Sequence, residues 1–165
     1  MFPKLAKVTR DRAEANITVE GKNYIYVTIQ RGTGNVYWQL ADPTFSLIEL
    51  GFDLPSGRLI KCAVPLFNGE VDDRSAEDLP NPEPGTPFFD LAPWPIKYNQ
   101  KGWPEQGSYL EQPGRIKLLK KGGGLSIIWG DGPPARSLLY ANTIICDFNQ
   151  ADELMALSLV GQFAL

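Results

Sequence analysis

Asp131 stands between two glycines directly after Trp129, and Asp53 and Asp147 each fall near the end of an apolar run. Two carboxylates at a suitable separation are enough for glycoside hydrolysis, one protonating the leaving group and the other serving as base or nucleophile. Of the 19 Asp and Glu residues, Asp131 is the first to consider for such a role, followed by Asp53 and Asp147. A plainer role competes. Gly130-Asp131-Gly132-Pro133-Pro134 is a turn sequence, in which an Asp accepts from nearby backbone N–H groups and glycine supplies positive φ. The turn reading is favoured at all three positions, and no catalytic residue is assigned.

The chain has no histidine, so it can hold no Ser-His-Asp or Cys-His site, no HExxH zinc motif and no His-liganded metal. Cys62 and Cys146 lie in separate apolar runs and form neither a CxxC pair nor a cysteine-rich metal set, so they are expected to be buried free thiols. Gly122-Gly123-Gly124 is followed by Leu125-Ser126 and not by Lys-Ser/Thr, so the phosphate-loop motif is unmet and the glycines are expected to join two strands. No cofactor and no metal are predicted, and the balance leans away from an enzyme.

Binding is the chemistry that remains. Between residues 68 and 95 seven carboxylates face one cation, Arg74, a local charge of −6 that leaves +3 on the rest of a chain whose total is −3. Like charges so concentrated repel one another unless a cationic partner relieves them, which makes Asp72, Asp73, Glu77 and Asp78 candidates for contact with a basic protein. A solvated acidic loop is the competing reading. Aromatics crowd among the prolines that follow, and Trp94 and Trp103 are the candidate anchors of the same contact. The competing expectation there is that Phe88, Phe89, Trp94, Tyr98, Trp103 and Tyr109 cover an open end of the core. A pI near 5.0 argues against nucleic acid. The sequence shows no stretch of about 20 apolar residues and no signal-peptide pattern, so neither membrane nor export is expected, and a cytoplasmic location is.

The elements that must position these residues are strands. Ile25, Val27 and Ile29 alternate with Tyr24, Tyr26 and Thr28, and Val36, Trp38 and Leu40 with Tyr37 and Gln39. Period two is the mark of half-buried strands. Further strands are predicted over 17–20, 45–52, 58–67, 115–120, 125–129, 138–148 and 154–163, separated by Gly, Pro and Asp turns. The stretch 68–108 carries prolines 80, 82, 84, 87, 93, 95 and 104 and is expected to be irregular. Residues 152–159 are good helix formers, so a short terminal helix is the alternative to a strand there, and a helical turn is open for the first fifteen residues. The whole reads as one mainly β domain over 1–165. It would be an antiparallel sandwich or partly open barrel built from meanders, with halves of about 16–67 and 109–163 and a long acidic, proline-rich loop between them.

Superposing Leu59 on Leu154 matches the apolar run, acidic turn and apolar run of 47–66 to those of 142–161, which a duplication or the common rules of hairpins would both produce. The segment Leu47-Ile48-Glu49-Leu50-Gly51-Phe52-Asp53-Leu54-Pro55-Ser56-Gly57-Arg58-Leu59, with Ile144 through Leu154, resembles hairpins of small bacterial immunity proteins. That resemblance covers about a fifth of the chain and transfers no residue role. It implies a protein that covers a cognate toxin, often with acidic surface against a basic nuclease. The leading expectation is therefore a non-catalytic protein-binding module, immunity-like, which sets an acidic loop against a basic partner. The alternative is a carbohydrate-binding or carboxylate-dependent glycan-processing domain using Trp94, Trp103 and Trp129. A third reading is a structural subunit whose sheet edges pair with copies of itself.

Overall fold

The apolar positions that alternate in the sequence become the inward faces of two β-sheets in the computed structural model, which describes residues 1–29, 35–73, 81–102, 104–105, 109–121 and 124–163. Among those residues there are fifteen strands and no helix. The first six are β1 (Leu5–Thr9), β2 (Asn16–Val19), β3 (Ile25–Thr28), β4 (Asn35–Ala41), β5 (Leu47–Asp53) and β6 (Arg58–Leu66). The middle of the chain adds β7 (Val71–Asp73), β8 (Glu83–Pro84), β9 (Thr86–Phe89) and β10 (Tyr109–Pro113). The last five are β11 (Lys117–Lys121), β12 (Gly124–Ile128), β13 (Arg136–Tyr140), β14 (Ile144–Phe148) and β15 (Leu154–Val160).

One sheet has eight strands, with β1-β9-β6-β5-β4-β10 in order and β3 lying on β6 with β2 outside it. The other has seven, in the order β7-β11-β12-β15-β14-β13-β8. This is the all-β sandwich or partly open barrel that the turn-punctuated alternation predicts. The meanders are antiparallel, and among the described residues parallel pairing enters only where β10 joins β4, β7 joins β11 and β8 joins β13. Both sheets contribute to one hydrophobic cluster, with Trp38 5.7 Å from Trp129 and Phe89 6.1 Å from Phe148 between ring centroids.

The two sheets repeat one topology. The first is built on a hairpin β2-β3 and a meander β4-β5-β6 closed by pairing β6 to β3; the second is a hairpin β11-β12 and a meander β13-β14-β15 closed by pairing β15 to β12. The registers agree in detail. Leu50 faces Cys62 and Phe52 faces Leu59 across a bulge after Gly51, while Cys146 faces Leu157 and Phe148 faces Leu154 across a bulge after Asp147. The hydrogen bond from Ile29 N to Ile60 O (2.9 Å) is matched by that from Trp129 N to Met155 O (3.0 Å). Leu59 and Leu154 thus occupy one position of the repeat. A turn one residue shorter in the second hairpin brings Phe52 into correspondence with Phe148.

The strand predicted over 154–163 forms, two helical alternatives fall away and two expectations change. Residues 152–159 are not helical: Leu154, Leu157 and Leu159 are buried in β15, whose backbone is paired on both sides, and that pairing overrides helix propensity. The N-terminal residues form β1 and not a helical turn. The predicted strand 138–148 is a hairpin turned by Ala141 and Asn142, both at positive φ (52° and 59°). The stretch 68–108 is less irregular than its prolines suggested, since β9 lies between β1 and β6 with Pro87 opposite Val8. Its single paired position with β6, Arg58 opposite Phe88, spares Pro87 from donating on that side.

Candidate functional site

Prolines 93 and 95 force the chain after β9 into tight turns, closed by Trp94 N donating to Leu91 O (3.1 Å) and Ile96 N donating to Trp94 O (2.8 Å). These turns press the Trp94 indole edge-on against Phe52, at 5.3 Å and 84°, and Phe52 meets Phe89 in the same way at 5.0 Å. Trp94 keeps 7% of its surface exposed, and that margin lines an open groove of about 410 Å³ between this segment and the β5–β6 turn. Phe89, Leu91 and Trp94 line it together with Pro55, Ile96 and Tyr98, the last of these 53% exposed. The turn is held at a fixed distance. Gly57 has φ of 73°, its carbonyl accepts from Phe89 N (2.7 Å), and a Cβ there would lie 2.3 Å from Phe89 O. The groove is an open, preformed cleft with an aromatic wall and a rim of polar backbone and Ser56, of a size that takes a side chain or a small ligand.

A second surface lies on the outward face of the eight-stranded sheet. Across its strands run Thr18, Tyr26, Ala63, Glu49, Gln39 and Glu111 in one row, beside a row that includes Thr28, Lys61, Gly51 and Tyr37. Gly51 is a low point flanked by the Lys61 and Tyr37 side chains. The Lys61 ammonium pairs with Glu49 and lies 5.3 Å from the ring centroids of both Tyr26 and Tyr37. Burial pulls the Lys61 pKa down, but the hydrogen bond and charge of Glu49, with Tyr26 and Tyr37, more than offset it, and the net direction is up. Gln39 donates to the other Glu49 oxygen (3.0 Å), and Tyr24, 48% exposed, stacks on Tyr26 at 6.5 Å. The corresponding face of the seven-stranded sheet carries Ser126, Ser158, Ile145 and Ala156, all at most 5% exposed. One scaffold therefore presents a polar, tyrosine-rich face and a buried face of Ser, Ala and Ile.

Of the residues singled out in the sequence, Trp94 lines the groove and Asp72 is exposed on β7, at the edge of the other sheet. Asp73 belongs to β7, and its side chain lies outside the described residues, as do Glu77, Asp78 and Trp103 entirely. The candidate acids have local roles. Asp53 accepts from the Ser56 N–H and hydroxyl, Asp147 accepts from the Ser137 hydroxyl, and Asp131 is fully exposed, 3.9 Å from Lys117. Trp38 and Trp129 are buried, as Trp94 largely is, so no described tryptophan offers an open sugar platform. Among the described residues no group of three or more potential metal ligands converges. Cys62 and Cys146 are buried free thiols; burial pushes Cys62 up to about 12 and Cys146 well above its ordinary value, which suits packing and not nucleophilic attack. No helix of the described residues is long and apolar enough to cross a membrane.

The tyrosine face was not singled out from the sequence. Its signal was present, because Tyr24, Tyr26 and Thr28 share one side of a strand, but alternation cannot tell which side meets solvent. No protein-family model matches the chain, and no curated protein is significantly similar to it.

Proposed function

We propose that this chain is a non-catalytic protein-binding module, immunity-like in covering a basic partner, which inserts an apolar side chain into the groove beside Trp94. The observation that carries this reading is the groove: open, aromatic-walled and held in shape by the Gly57–Phe89 contact. Anchors in such slots supply most of the energy of an interface, while surrounding charge governs encounter rate and partner choice. The carboxylates of 70–90 supply that charge. The cytoplasmic location expected from the sequence is part of the same reading.

The test compares capture of a partner from native extract by the wild-type chain, by Tyr98→Ala and by Asp72→Asn. Wild type should retain a basic protein that is released at high salt. Tyr98→Ala should weaken the complex at least fivefold at every salt concentration, whereas Asp72→Asn should lower mainly the association rate at low salt. Equal capture by all three sinks the reading. A second reading, glycan binding, is favoured by the stacked Tyr24–Tyr26 pair beside Gln39, Glu49 and Lys61. It predicts retention on a glycan array that Tyr24→Ala abolishes and Tyr98→Ala leaves intact.

A further inference from the structure

β2 forms one margin of the eight-stranded sheet, and no strand among the described residues pairs with its outer edge. Its counterpart in the repeat, β11, is covered: Leu118, Leu119 and Lys120 pair in parallel with Val71, Asp72 and Asp73. Leu118 is 1% exposed beneath that cover, whereas Ile17, at the corresponding position on β2, is only half-buried. Hydrogen-bond direction on β2 follows from its hairpin. Glu20 N donates to Tyr24 O (2.8 Å), so pairs Thr18/Tyr26 and Asn16/Thr28 are the bonded ones. The N–H and C=O groups of Ile17 and Val19 therefore point away from β3, toward the open edge.

The other marginal strands carry guards against pairing. β1 has Lys7, β7 has Asp72, β8 has Glu83 and Pro84, and β10 has Glu111 and Pro113. Charge and proline on an edge strand are the usual protection against edge-to-edge association. β2, Asn-Ile-Thr-Val, has neither.

We propose that this edge docks a second copy of the chain, β2 against β2 in antiparallel, on a two-fold axis beside Thr18. In that register Ile17 and Val19 of one copy exchange N–H···O=C bonds with Val19 and Ile17 of the other, so all four outward groups of each strand are satisfied within β2. The alternatives, centred on Ile17 or Val19, would draw Ala15 or Gly21 into the pairing. On the core side Ile17 and Val19 meet their copies and complete their burial. On the outer side Thr18 faces Thr18 and Asn16 faces Glu20, so no like charges oppose. The edge is thus self-complementary, as an isologous contact requires.

Sedimentation equilibrium from about 10 μM to about 1 mM spans the range in which small interfaces associate. The wild-type mass should rise from 18.3 kDa toward twice that value. Thr18 is exposed, so Thr18→Lys should keep the fold, checked by circular dichroism, while setting two ammonium groups against each other at the axis. Dimerisation should weaken at least tenfold, Thr18→Glu should do the same, and an equimolar mixture of the two variants should restore the dimer. A wild-type chain that stays monomeric throughout overturns the proposal, and so does a Thr18→Lys variant that dimerises as well as wild type. Monomeric wild type that instead binds an extended foreign peptide at β2 also overturns it, in favour of an edge that accepts strands from another protein.

Discussion

Asp42 ends the β4 strand region and ties three parts of the chain together. One carboxylate oxygen accepts from the Thr44 N–H (2.7 Å) and hydroxyl, and the other from Ile116 N (2.9 Å), just ahead of β11. Partial burial alone would raise its pKa, but the bonds from Thr44 and Ile116, with the charge of Arg115, outweigh it and hold the carboxyl below the ordinary aspartate value. A depressed pKa contributes stability above the unfolded-state value and loses it as pH falls through the folded-state value. That places the loss below about pH 4. Asp42→Asn keeps an acceptor for Thr44 but turns an amide toward the Ile116 N–H. We expect it to lower stability by about 1 kcal/mol at pH 7, a modest figure because the group is half-exposed, and to flatten the acid-side decline below pH 4. Urea unfolding at pH 7 and pH 3 measures both; an unchanged difference between the two pH values would refute the assignment.

Turns decide whether the strands can reach one another, and two glycines separate conformational freedom from close approach. Gly21 and Gly57 both have φ near +70°, but a Cβ at Gly21 meets nothing within 4 Å, whereas at Gly57 it would strike the Phe89 carbonyl. Gly21→Ala should cost only left-handed strain, about 1 kcal/mol. Gly57→Ala adds a backbone clash that only parting β9 from the β5–β6 turn can relieve, so its cost should exceed about 3 kcal/mol and the groove should open. Denaturant titrations of the two variants that gave equal losses would show that the turn, and not its contact with β9, sets the cost. The same contact explains why the proline-rich middle of the chain holds a strand: Phe89 N has a fixed acceptor in Gly57 O, and Phe88 packs beneath Lys7 and Arg58.

The two topological repeats do not divide the molecule into two cores. Trp38 packs on Trp129, Phe89 on Phe148, and the Tyr140 hydroxyl donates across to Leu59 O (2.9 Å). The chain also crosses between the sheets: β10, which leads into the second repeat, pairs with β4, while β7 and β8, which follow the first repeat, pair with β11 and β13. Burial shared in this way couples the halves, so tryptophan fluorescence and far-UV circular dichroism should report one urea transition with coincident midpoints. Residues 1–67 expressed alone should remain unfolded. Two separated transitions would mean that each repeat is stable by itself.

The strand faces were legible in the sequence because period two is local: Ile25, Val27, Trp38, Leu40, Leu50 and Cys62 alternate along the chain and all point into the core. The turn roles of Asp53 and the hairpin closing β11 onto β12 were legible for the same reason. The absence of histidine limits the chemistry whatever the fold. Pairing between distant segments was not legible, since a proline-rich stretch carries no sign that Gly57 will offer it an acceptor. Burial of Trp94 and Trp129, the solvent-facing side of Tyr24, Tyr26 and Tyr37, and the contrast between β11, covered by β7, and β2, which has no outer strand among the described residues, were likewise decided only in three dimensions. A side chain's neighbours along the chain set which face it takes. What lies against that face is set by segments tens of residues away, and only the closed arrangement of both sheets determines which of them arrive.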